Sequence, residues 1–264
     1  MAKIRNSFLT QKIGRILSSS MSNKLPLYKR ISLSASYALV SFGLLFLLYY
    51  PVIWIFLLRP KTYRSALIAR TAFARMFLRF AGIRWKVEGA ENIPSNGKII
   101  LAANHDSYLD IPVLMMLSKE PVFFVAKAEL LKIPLFGDFF RTVDVPVDRD
   151  NAEDGRRAFK AAMEKMKEGY HLAIFPEGGV KKGKHVLSPL KSGVFRMAEA
   201  TGATIVPVYI HGTADRIFDD GEKTFYRPGR VSIRVGKPLQ ADTIAGQKGE
   251  FKDRIFELAG VERT

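Results

Sequence analysis

One long uncharged stretch dominates the first third of the chain. Residues 31–58 form a run of twenty-eight positions without a charged side chain, and an arginine stands on either side. This length exceeds the ~20 residues that a helix needs to cross the hydrocarbon core of a bilayer. Tyr49, Tyr50 and Trp54 supply the aromatic side chains that are enriched where lipid meets water. The pattern therefore predicts a segment that attaches the chain to a membrane.

This stretch is compatible with two membrane topologies. Pro51 lacks a backbone donor and bends or ends a helix, so one alternative is a single span over residues 31–50. The other is a re-entrant hairpin, because both flanks are basic and the charge asymmetry of a spanning helix is missing. A third alternative, a buried helix of a soluble protein, is disfavoured by the length of the run.

Basic segments flank the uncharged stretch on both sides. Residues 1–30 combine seven basic side chains with apolar positions at helical spacing, which predicts an amphipathic basic helix. Residues 60–82 alternate arginines with large apolar side chains between a proline and a glycine. They predict a second basic helix, which either lies on the lipid surface or packs partly against the core. We therefore assign residues 1–87 to a membrane-attachment region.

Beyond residue 87 the pattern changes to short apolar runs that alternate with helical segments. The predicted strands are 98–103, 122–125, 142–147, 171–175, 204–210 and 231–235. Predicted helices start at Asn151 and Ser188 and end at Gly169 and Gly202. This alternation predicts an α/β fold, with a mostly parallel sheet flanked by helices, over residues 88–264.

The charge distribution favours a lipid partner over a nucleic acid. Lys and Arg outnumber Asp and Glu by 41 to 25, and fifteen of the basic residues but no acidic ones precede Glu88. A basic region interrupted by an apolar run of this length is poorly suited to contact a duplex. We therefore expect a lipid bilayer as partner and no nucleic acid. The absence of cysteine excludes disulfides, thiolate metal sites and cysteine nucleophiles.

The first predicted strand of this domain delivers a histidine to the loop that follows it. Asp110 comes five positions after His105, where a helix is expected to start. From the first helical turn its carboxylate can reach one imidazole nitrogen, which leaves the other to take a proton from a substrate hydroxyl. His105 is therefore a candidate general base, and Asp110 its candidate orienting partner.

Two other interpretations of this motif remain open. Ser107 and Asp110 fit a helix capping box, in which the carboxylate only satisfies a backbone donor. His105 and Asp106 fit the adjacent ligand pair of a metal phosphohydrolase, although the four histidines of the chain do not cluster in sequence. We expect no metal site.

A second strand end carries a glutamate and two glycines. The apolar run 171–175 leads into Pro176 and then Glu177, whose carboxylate is suited to accept a polyol hydroxyl. Gly178 and Gly179 allow the backbone to approach a ligand closely. A solvated turn with an exposed glutamate is the ordinary alternative.

Two basic residues near these strand ends are candidate anion ligands. Arg149 follows the predicted strand 142–147, and its planar guanidinium can bind a phosphate in a fork. Lys181 follows the two glycines and can supply a point charge. A surface arginine is the ordinary alternative for Arg149.

The order of these motifs resembles the glycerolipid acyltransferase family, most closely the 1-acylglycerol-3-phosphate acyltransferases. Residues 104–110 (Asn-His-Asp-Ser-Tyr-Leu-Asp) and 175–178 (Phe-Pro-Glu-Gly) carry the resemblance. It extends over about residues 85–240 and includes segments at 126–130 and 190–193. The single pieces are weak, whereas their joint order and spacing are specific.

The resemblance implies a role for each principal residue. His105 is then the general base and Asp110 its partner, while Arg149 binds the acceptor phosphate and Glu177 and Gly178 hold the glycerol. A second group of residues is expected to contact the substrates or the oxyanion: Asn104, Ser107, Lys127, Gly179 and Lys181. Backbone donors of the 104–107 turn, or Lys127, are the candidates for the oxyanion.

The resemblance also implies the substrates and the location. The donor is expected to be acyl-CoA or acyl-carrier protein, with no cofactor, and the acceptor a lysolipid. We hypothesise that the chain acylates the free hydroxyl of lysophosphatidic acid to phosphatidic acid, at the cytoplasmic face of the cell membrane. A non-catalytic lipid carrier with the same fold is the rival from another class.

One departure from the family pattern concerns the acceptor. Gly179-Val180 stands where the family commonly has Thr-Arg, so an arginine credited with phosphate contact is missing at Val180. Lys181, Lys182 or Lys184 is a candidate replacement as a point charge without bidentate geometry. The other alternative is an acceptor other than lysophosphatidic acid, such as a lyso amino acid lipid.

Overall fold

The computed structural model describes residues 32–118, 120–180, 187, 189–219, 224–239 and 243–261. The predicted amphipathic helix within residues 1–30 and the candidate ligands Lys181, Lys182 and Lys184 lie outside the described residues.

Helices and strands alternate along most of the chain. The helices are α1 Leu33–Leu57, α2 Tyr63–Phe80, α3 Asp110–Met115, α4 Gly137–Thr142, α5 Ala152–Lys167, α6 Gly193–Thr201 and α7 Ile244–Ala259. The strands are β1 Ile83–Glu88, β2 Ile99–Ala103, β3 Val122–Lys127, β4 Val145–Val147, β5 His171–Ile174, β6 Thr204–His211, β7 Ile217–Asp219, β8 Thr224–Tyr226 and β9 Gly229–Val235.

Seven of these strands form one mixed sheet in the order β1-β9-β6-β2-β5-β3-β4. All neighbouring pairs are parallel except β6 and β9, which are antiparallel. Strands β7 and β8 form a separate antiparallel hairpin. The predicted α/β fold with a mostly parallel sheet flanked by helices is confirmed.

Several predicted boundaries differ from the observed elements; helix α6, for example, begins at Gly193 and not at Ser188. The predicted strand 142–147 begins three residues too early, because Thr142 ends helix α4. The division after residue 87 falls inside strand β1, which pairs with β9 along its whole length, from Ile83 to Glu88. β1 alternates apolar and charged residues, as an edge strand with one exposed face does.

The sheet separates two hydrophobic layers. Along β2, Ile99, Leu101 and Ala103 pack towards helices α1, α2 and α3. Ile100 and Ala102 point to the other face, where α5, α6 and α7 lie. Strand β2 is buried on both faces, which explains why its sequence is continuously apolar rather than alternating.

The uncharged stretch forms the single helix α1, with Pro51 inside it. Its length and mean hydropathy of 2.1 are sufficient for a membrane span. One narrow stripe of α1 packs into the protein core: Phe46, Tyr50, Ile53 and Leu57. Large apolar side chains cover much of the remaining surface, including Leu44, Leu48 and Ile55. α1 is therefore joined to the core along one stripe and apolar on its exposed face.

Helix α2 packs against the core, as in the second of the two alternatives for residues 60–82. Leu67, Phe73 and Leu78 are buried in the layer that also contains α1. Its arginines bind protein groups: Arg75 donates to the Met116 carbonyl, and Arg79 lies over the Trp85 ring.

A buried ion pair connects α2 to the sheet. The Arg70 guanidinium donates to an Asp144 oxygen at 2.5 Å and to the Val122 carbonyl at 3.0 Å. The other Asp144 oxygen accepts from the Phe124 amide at 2.9 Å. The Arg70 guanidinium also lies 5.5 Å from the Phe139 ring centroid. Both charges are therefore hydrogen-bonded, as burial requires.

Removal of one partner of this pair should strongly destabilise the fold. In Arg70→Met the Asp144 carboxylate stays buried without its cation, which should lower the free energy of unfolding by about 3–5 kcal/mol. As a matched control, Arg157 pairs with Asp154 on the surface of α5, and Arg157→Met should lose under about 1 kcal/mol. Denaturant unfolding of the purified variants measures both. If both variants lower the free energy of unfolding by the same amount, the Arg70–Asp144 pair does not stabilise the fold as a buried ion pair.

Candidate active site

The candidate residues meet at one edge of the sheet. Strands β4, β3, β5 and β2 are consecutive neighbours and parallel, so their carboxyl ends lie side by side. His105 follows β2, Glu177 follows β5 and Arg149 follows β4, while Lys127 is the last residue of β3. Ligands of open α/β sheets bind at this edge.

His105 and Asp110 are in direct contact. The Nδ1 atom of His105 lies 3.0 Å from Oδ2 of Asp110, the first residue of α3. Both residues are buried, and Asp110 is fully inaccessible to solvent. A carboxylate only accepts hydrogen bonds, so the proton of the neutral ring lies on Nδ1 and the lone pair on Nε2.

The same carboxylate oxygen also binds the loop that precedes α3. It accepts hydrogen bonds from the backbone amides of Asp106 at 2.7 Å and Ser107 at 2.8 Å. Asp110 therefore contacts the imidazole and also satisfies backbone donors, although the Ser107 hydroxyl accepts from the Leu109 amide and does not complete a capping box. The amides that it accepts hold the loop around His105 in place.

The imidazole also has an aromatic neighbour that the sequence pattern did not single out. The rings of His105 and Phe175 stack with centroids 3.8 Å apart and an interplanar angle of 11°. Phe175 directly follows β5, so the sheet fixes its position. Phe175 thus covers one face of the imidazole, and the contact of Nδ1 with Asp110 sets the orientation of the ring.

The glutamate-glycine turn binds the histidine loop directly. An oxygen of Glu177 accepts the His105 backbone amide at 3.1 Å, and Glu177 is buried. Gly178 has φ +77°, a conformation that side chains rarely adopt. A Cβ at this position would lie 2.6 Å from Cε of Lys191, the flexible end of a side chain that can move away, so the positive φ is what requires glycine here.

Two basic residues lie beside this turn, and a third ends the neighbouring strand β3. The Arg149 guanidinium donates to the Gly178 carbonyl, and it also lies beside Gly179. Lys191 packs its side chain against Gly178. Lys127 is exposed and pairs with Glu129 at 2.6 Å, and the hydrogen bond to Glu129 raises the pKa of Lys127.

Lys191 belongs to the segment 190–193, which contributes to the family resemblance. Its position beside the glutamate-glycine turn was not predicted from the sequence. Its backbone amide donates to the Pro176 carbonyl at 2.9 Å, which connects residues 189–192 to the turn. Lys191 and Gly178 belong to separate segments of the chain, so the sequence does not show that they are close in space.

Asn104 and Ser107 use their polar side chains within the protein. The Asn104 amide exchanges hydrogen bonds with the backbone of Ile210, at 2.7 and 2.9 Å, and also donates to Asp106. The Ser107 hydroxyl accepts from the Leu109 amide at 3.3 Å. These contacts connect the end of β2 to β6 and shape the loop.

Three backbone amides of the 104–107 turn, which were candidate oxyanion donors, donate to carboxylates of the protein. The His105 amide donates to Glu177, and the amides of Asp106 and Ser107 donate to Asp110. The buried carboxylates of Glu177 and Asp110 accept these hydrogen bonds, because a buried polar group requires hydrogen-bond partners. Lys127 stays a candidate for this role.

Thr213 is a further neighbour of Asp110 that sequence reasoning missed. Its hydroxyl donates to the second carboxylate oxygen, Oδ1, at 2.5 Å, and the residue is fully buried. A threonine that follows a strand is common, and 103 positions separate it from Asp110. No local sequence signal indicates this contact.

The arrangement is suited to proton abstraction from a hydroxyl. Within the described residues, no group of three or more His, Asp or Glu side chains is arranged to hold a metal ion. The geometry instead combines an oriented imidazole, a buried glutamate and a set of cations at one sheet edge.

Comparisons with known proteins show which proteins the chain is similar to. The family model described as Acyltransferase matches residues 84–211. The Escherichia coli 1-acyl-sn-glycerol-3-phosphate acyltransferase is 30% identical over 192 residues, which are 71% of this chain and 74% of that protein. The Bacillus subtilis protein of the same name is 29% identical over 66% of this chain and 87% of its own length.

Plant relatives and a solved structure extend the comparison. The chain spans about half the length of chloroplast relatives, covering 48% of the Arabidopsis thaliana 1-acyl-sn-glycerol-3-phosphate acyltransferase at 31% identity over 65% of this chain. The crystal structure of the Thermotoga maritima 1-acyl-sn-glycerophosphate acyltransferase superimposes with a TM-score of 0.68 at 26% identity. It covers 85% of this chain and 94% of that one. This chain belongs to the glycerolipid acyltransferase family.

Proposed function

We propose that the protein is a membrane-bound acyltransferase that converts lysophosphatidic acid into phosphatidic acid. The observation that carries this proposal is the His105–Asp110 contact of 3.0 Å beside the Glu177 turn and its cations. The names of the E. coli and T. maritima relatives, which specify the 1-acylglycerophosphate acceptor, support the same assignment.

In this mechanism His105 acts first as a base and then as an acid. Its Nε2 takes the proton of the free acceptor hydroxyl, while Asp110 stabilises the imidazolium that forms. The alkoxide oxygen attacks the thioester carbonyl of acyl-CoA or acyl-carrier protein and forms the new C–O bond. The tetrahedral intermediate then collapses, the C–S bond breaks, and the imidazolium returns the proton to the departing thiolate.

The cations around the glutamate-glycine turn are suited to the acceptor phosphate. Arg149 contacts the Gly178 carbonyl and Lys191 packs on Gly178, so both basic side chains converge where Glu177 is presented. A guanidinium and an ammonium together supply the charge that a phosphate monoester needs. In this proposal they act in place of the arginine that is absent at Val180.

A second acceptor class is favoured by one specific feature. Val180 is apolar where the family commonly carries an arginine, which weakens bidentate phosphate recognition at that point. The alternative is therefore the same reaction on another lysolipid, such as a lyso amino acid lipid.

Membrane attachment is proposed to occur through the exposed face of α1. Leu44, Leu48 and Ile55 form part of an apolar surface on a helix long enough to span a bilayer. The basic, acid-free sequence before Glu88 is suited to anionic lipids of the cytoplasmic leaflet, where both thioester donors are found. These features support a cell-membrane location with the active site on the cytoplasmic face.

Loss of the imidazole should abolish turnover. His105→Ala should lower kcat about 10³-fold, because general base catalysis contributes on that scale. Thiol release on addition of acyl donor and lysophosphatidic acid measures the rate. His171→Asn is the control, since His171 is buried at the start of β5 and its ring accepts the Ile99 amide. This variant should keep wild-type turnover, and a folded His105→Ala with normal rates would refute the mechanism.

The cations should govern the affinity for a phosphate-bearing acceptor. Arg149→Gln and Lys191→Met should each raise KM for lysophosphatidic acid about tenfold, because each removes one charge-assisted contact. The same variants should leave KM for monoacylglycerol, which lacks the phosphate, within twofold. A panel of labelled acceptors also tests the alternative substrate. If both variants leave KM for lysophosphatidic acid at the wild-type value, or raise it by the same factor as KM for monoacylglycerol, phosphate binding here is contradicted.

Charges on the exposed face of α1 should weaken membrane attachment without removing core contacts. Each of Leu44→Asp and Leu48→Asp should cost about 3 kcal/mol at the centre of a membrane helix. The double variant should shift from the membrane pellet to the supernatant after alkaline carbonate extraction. Deletion of the whole helix is a poorer test, since Phe46 and Ile53 belong to the core. A fully pelleted double variant would contradict attachment through this face.

A further inference from the structure

The two oxygens of the Asp110 carboxylate are held from different parts of the chain. Oδ2 faces the His105 ring and the amides of Asp106 and Ser107. Oδ1 accepts the Thr213 hydroxyl at 2.5 Å, from the turn between β6 and β7. Both Asp110 and Thr213 have no solvent-accessible surface, so water does not substitute for this donor.

The second anchor determines the orientation of the carboxylate plane. A carboxylate held through one oxygen can rotate about its Cβ–Cγ bond, whereas donors on both oxygens fix it. The Thr213 side chain is β-branched and stiff at χ1, so its backbone sets the hydroxyl direction. That backbone is itself held, because the Thr213 carbonyl accepts the Arg216 amide at 3.0 Å.

Thr213 differs in its hydrogen bond from other threonines of the protein. Thr71, Thr142 and Thr201 each donate to the backbone carbonyl four residues earlier, within their own helices. Such bonds satisfy a hydroxyl locally and position no other side chain. Thr213 instead donates across the fold to a charged side chain, and charge-assisted hydrogen bonds are among the strong ones.

We propose that Thr213 is a positioning residue for acyl transfer. Its hydroxyl fixes the Asp110 carboxylate, and the fixed carboxylate holds the His105 ring with Nδ1 protonated and Nε2 free to accept a proton. The proposal rests on the proposed role of His105 as the base. It adds to the family motif a third member that enters the site from the β6–β7 turn.

Two pairs of variants isolate the hydroxyl of Thr213. Thr213→Val keeps the shape of the side chain, and Thr213→Ser and Thr213→Ala differ from each other only in the hydroxyl. Thr213→Val and Thr213→Ala should lower kcat about tenfold, as expected for loss of a hydrogen bond to a charged group. KM for acceptor and donor should stay within twofold, and Thr213→Ser should retain most of the activity.

The matched control is a buried threonine outside the site. Thr201 lies in α6 and donates only to the Met197 carbonyl, so Thr201→Val removes a buried hydroxyl without contact to Asp110. It should lower the thermal stability while kcat stays at the wild-type value. If Thr201→Val and Thr213→Val lower kcat equally, the effect of Thr213 is a general loss of stability and the proposal fails.

A double-mutant comparison tests whether Thr213 acts through Asp110. In an Asp110→Asn background, Thr213→Val should change the residual kcat less than threefold, because coupled residues are non-additive. A full additional tenfold loss would overturn the proposal. If His105→Ala keeps turnover, the proposed function itself fails. If His105→Ala is inactive but folded Thr213→Val has wild-type kcat, only the role of Thr213 fails.

Discussion

A buried negative charge determines the architecture of this site. The Asp110 carboxylate has no solvent contact, and a buried ion is tolerated only when hydrogen bonds replace its hydration. Its donors come from the loop after β2 and from the turn after β6. Neighbouring strands in the sheet bring these segments together, since β2 pairs directly with β6. The imidazole of His105 joins this group of donors and is oriented by it.

The same sheet edge supplies the rest of the site. Strand β5 pairs with β2, and it delivers both Phe175, which stacks on the imidazole, and Glu177, which accepts the His105 amide. Gly178 then lets the backbone turn tightly, and the side chains of Arg149 and Lys191 both lie against it. The base and the cations therefore lie on adjacent segments of one rigid framework. Such a framework is what orientation of two substrates requires.

Local sequence patterns predicted the buried strands and the contact of His105 with Asp110. They did not predict the site residues that distant segments of the chain contribute. Apolar runs located β2 and β5 because buried parallel strands are continuously apolar, and the five-residue spacing indicated the contact of His105 with Asp110. Strand β1 was missed, although its alternation of apolar and charged residues is visible. Thr213 and Lys191 reach the site from separate segments, so no local pattern could reveal them. No local pattern indicated that three amides of the 104–107 turn would donate to the carboxylates of Glu177 and Asp110.

The protonation state of one ring nitrogen tests the central claim most directly. Nitrogen NMR of the full chain with labelled histidine, at a pH where free imidazole is neutral, distinguishes the two neutral tautomers of His105. The contact with Asp110 predicts a proton on Nδ1 and an unprotonated Nε2, ready to accept the substrate proton. A proton on Nε2 would leave this nitrogen unable to act as a base and would contradict the mechanism.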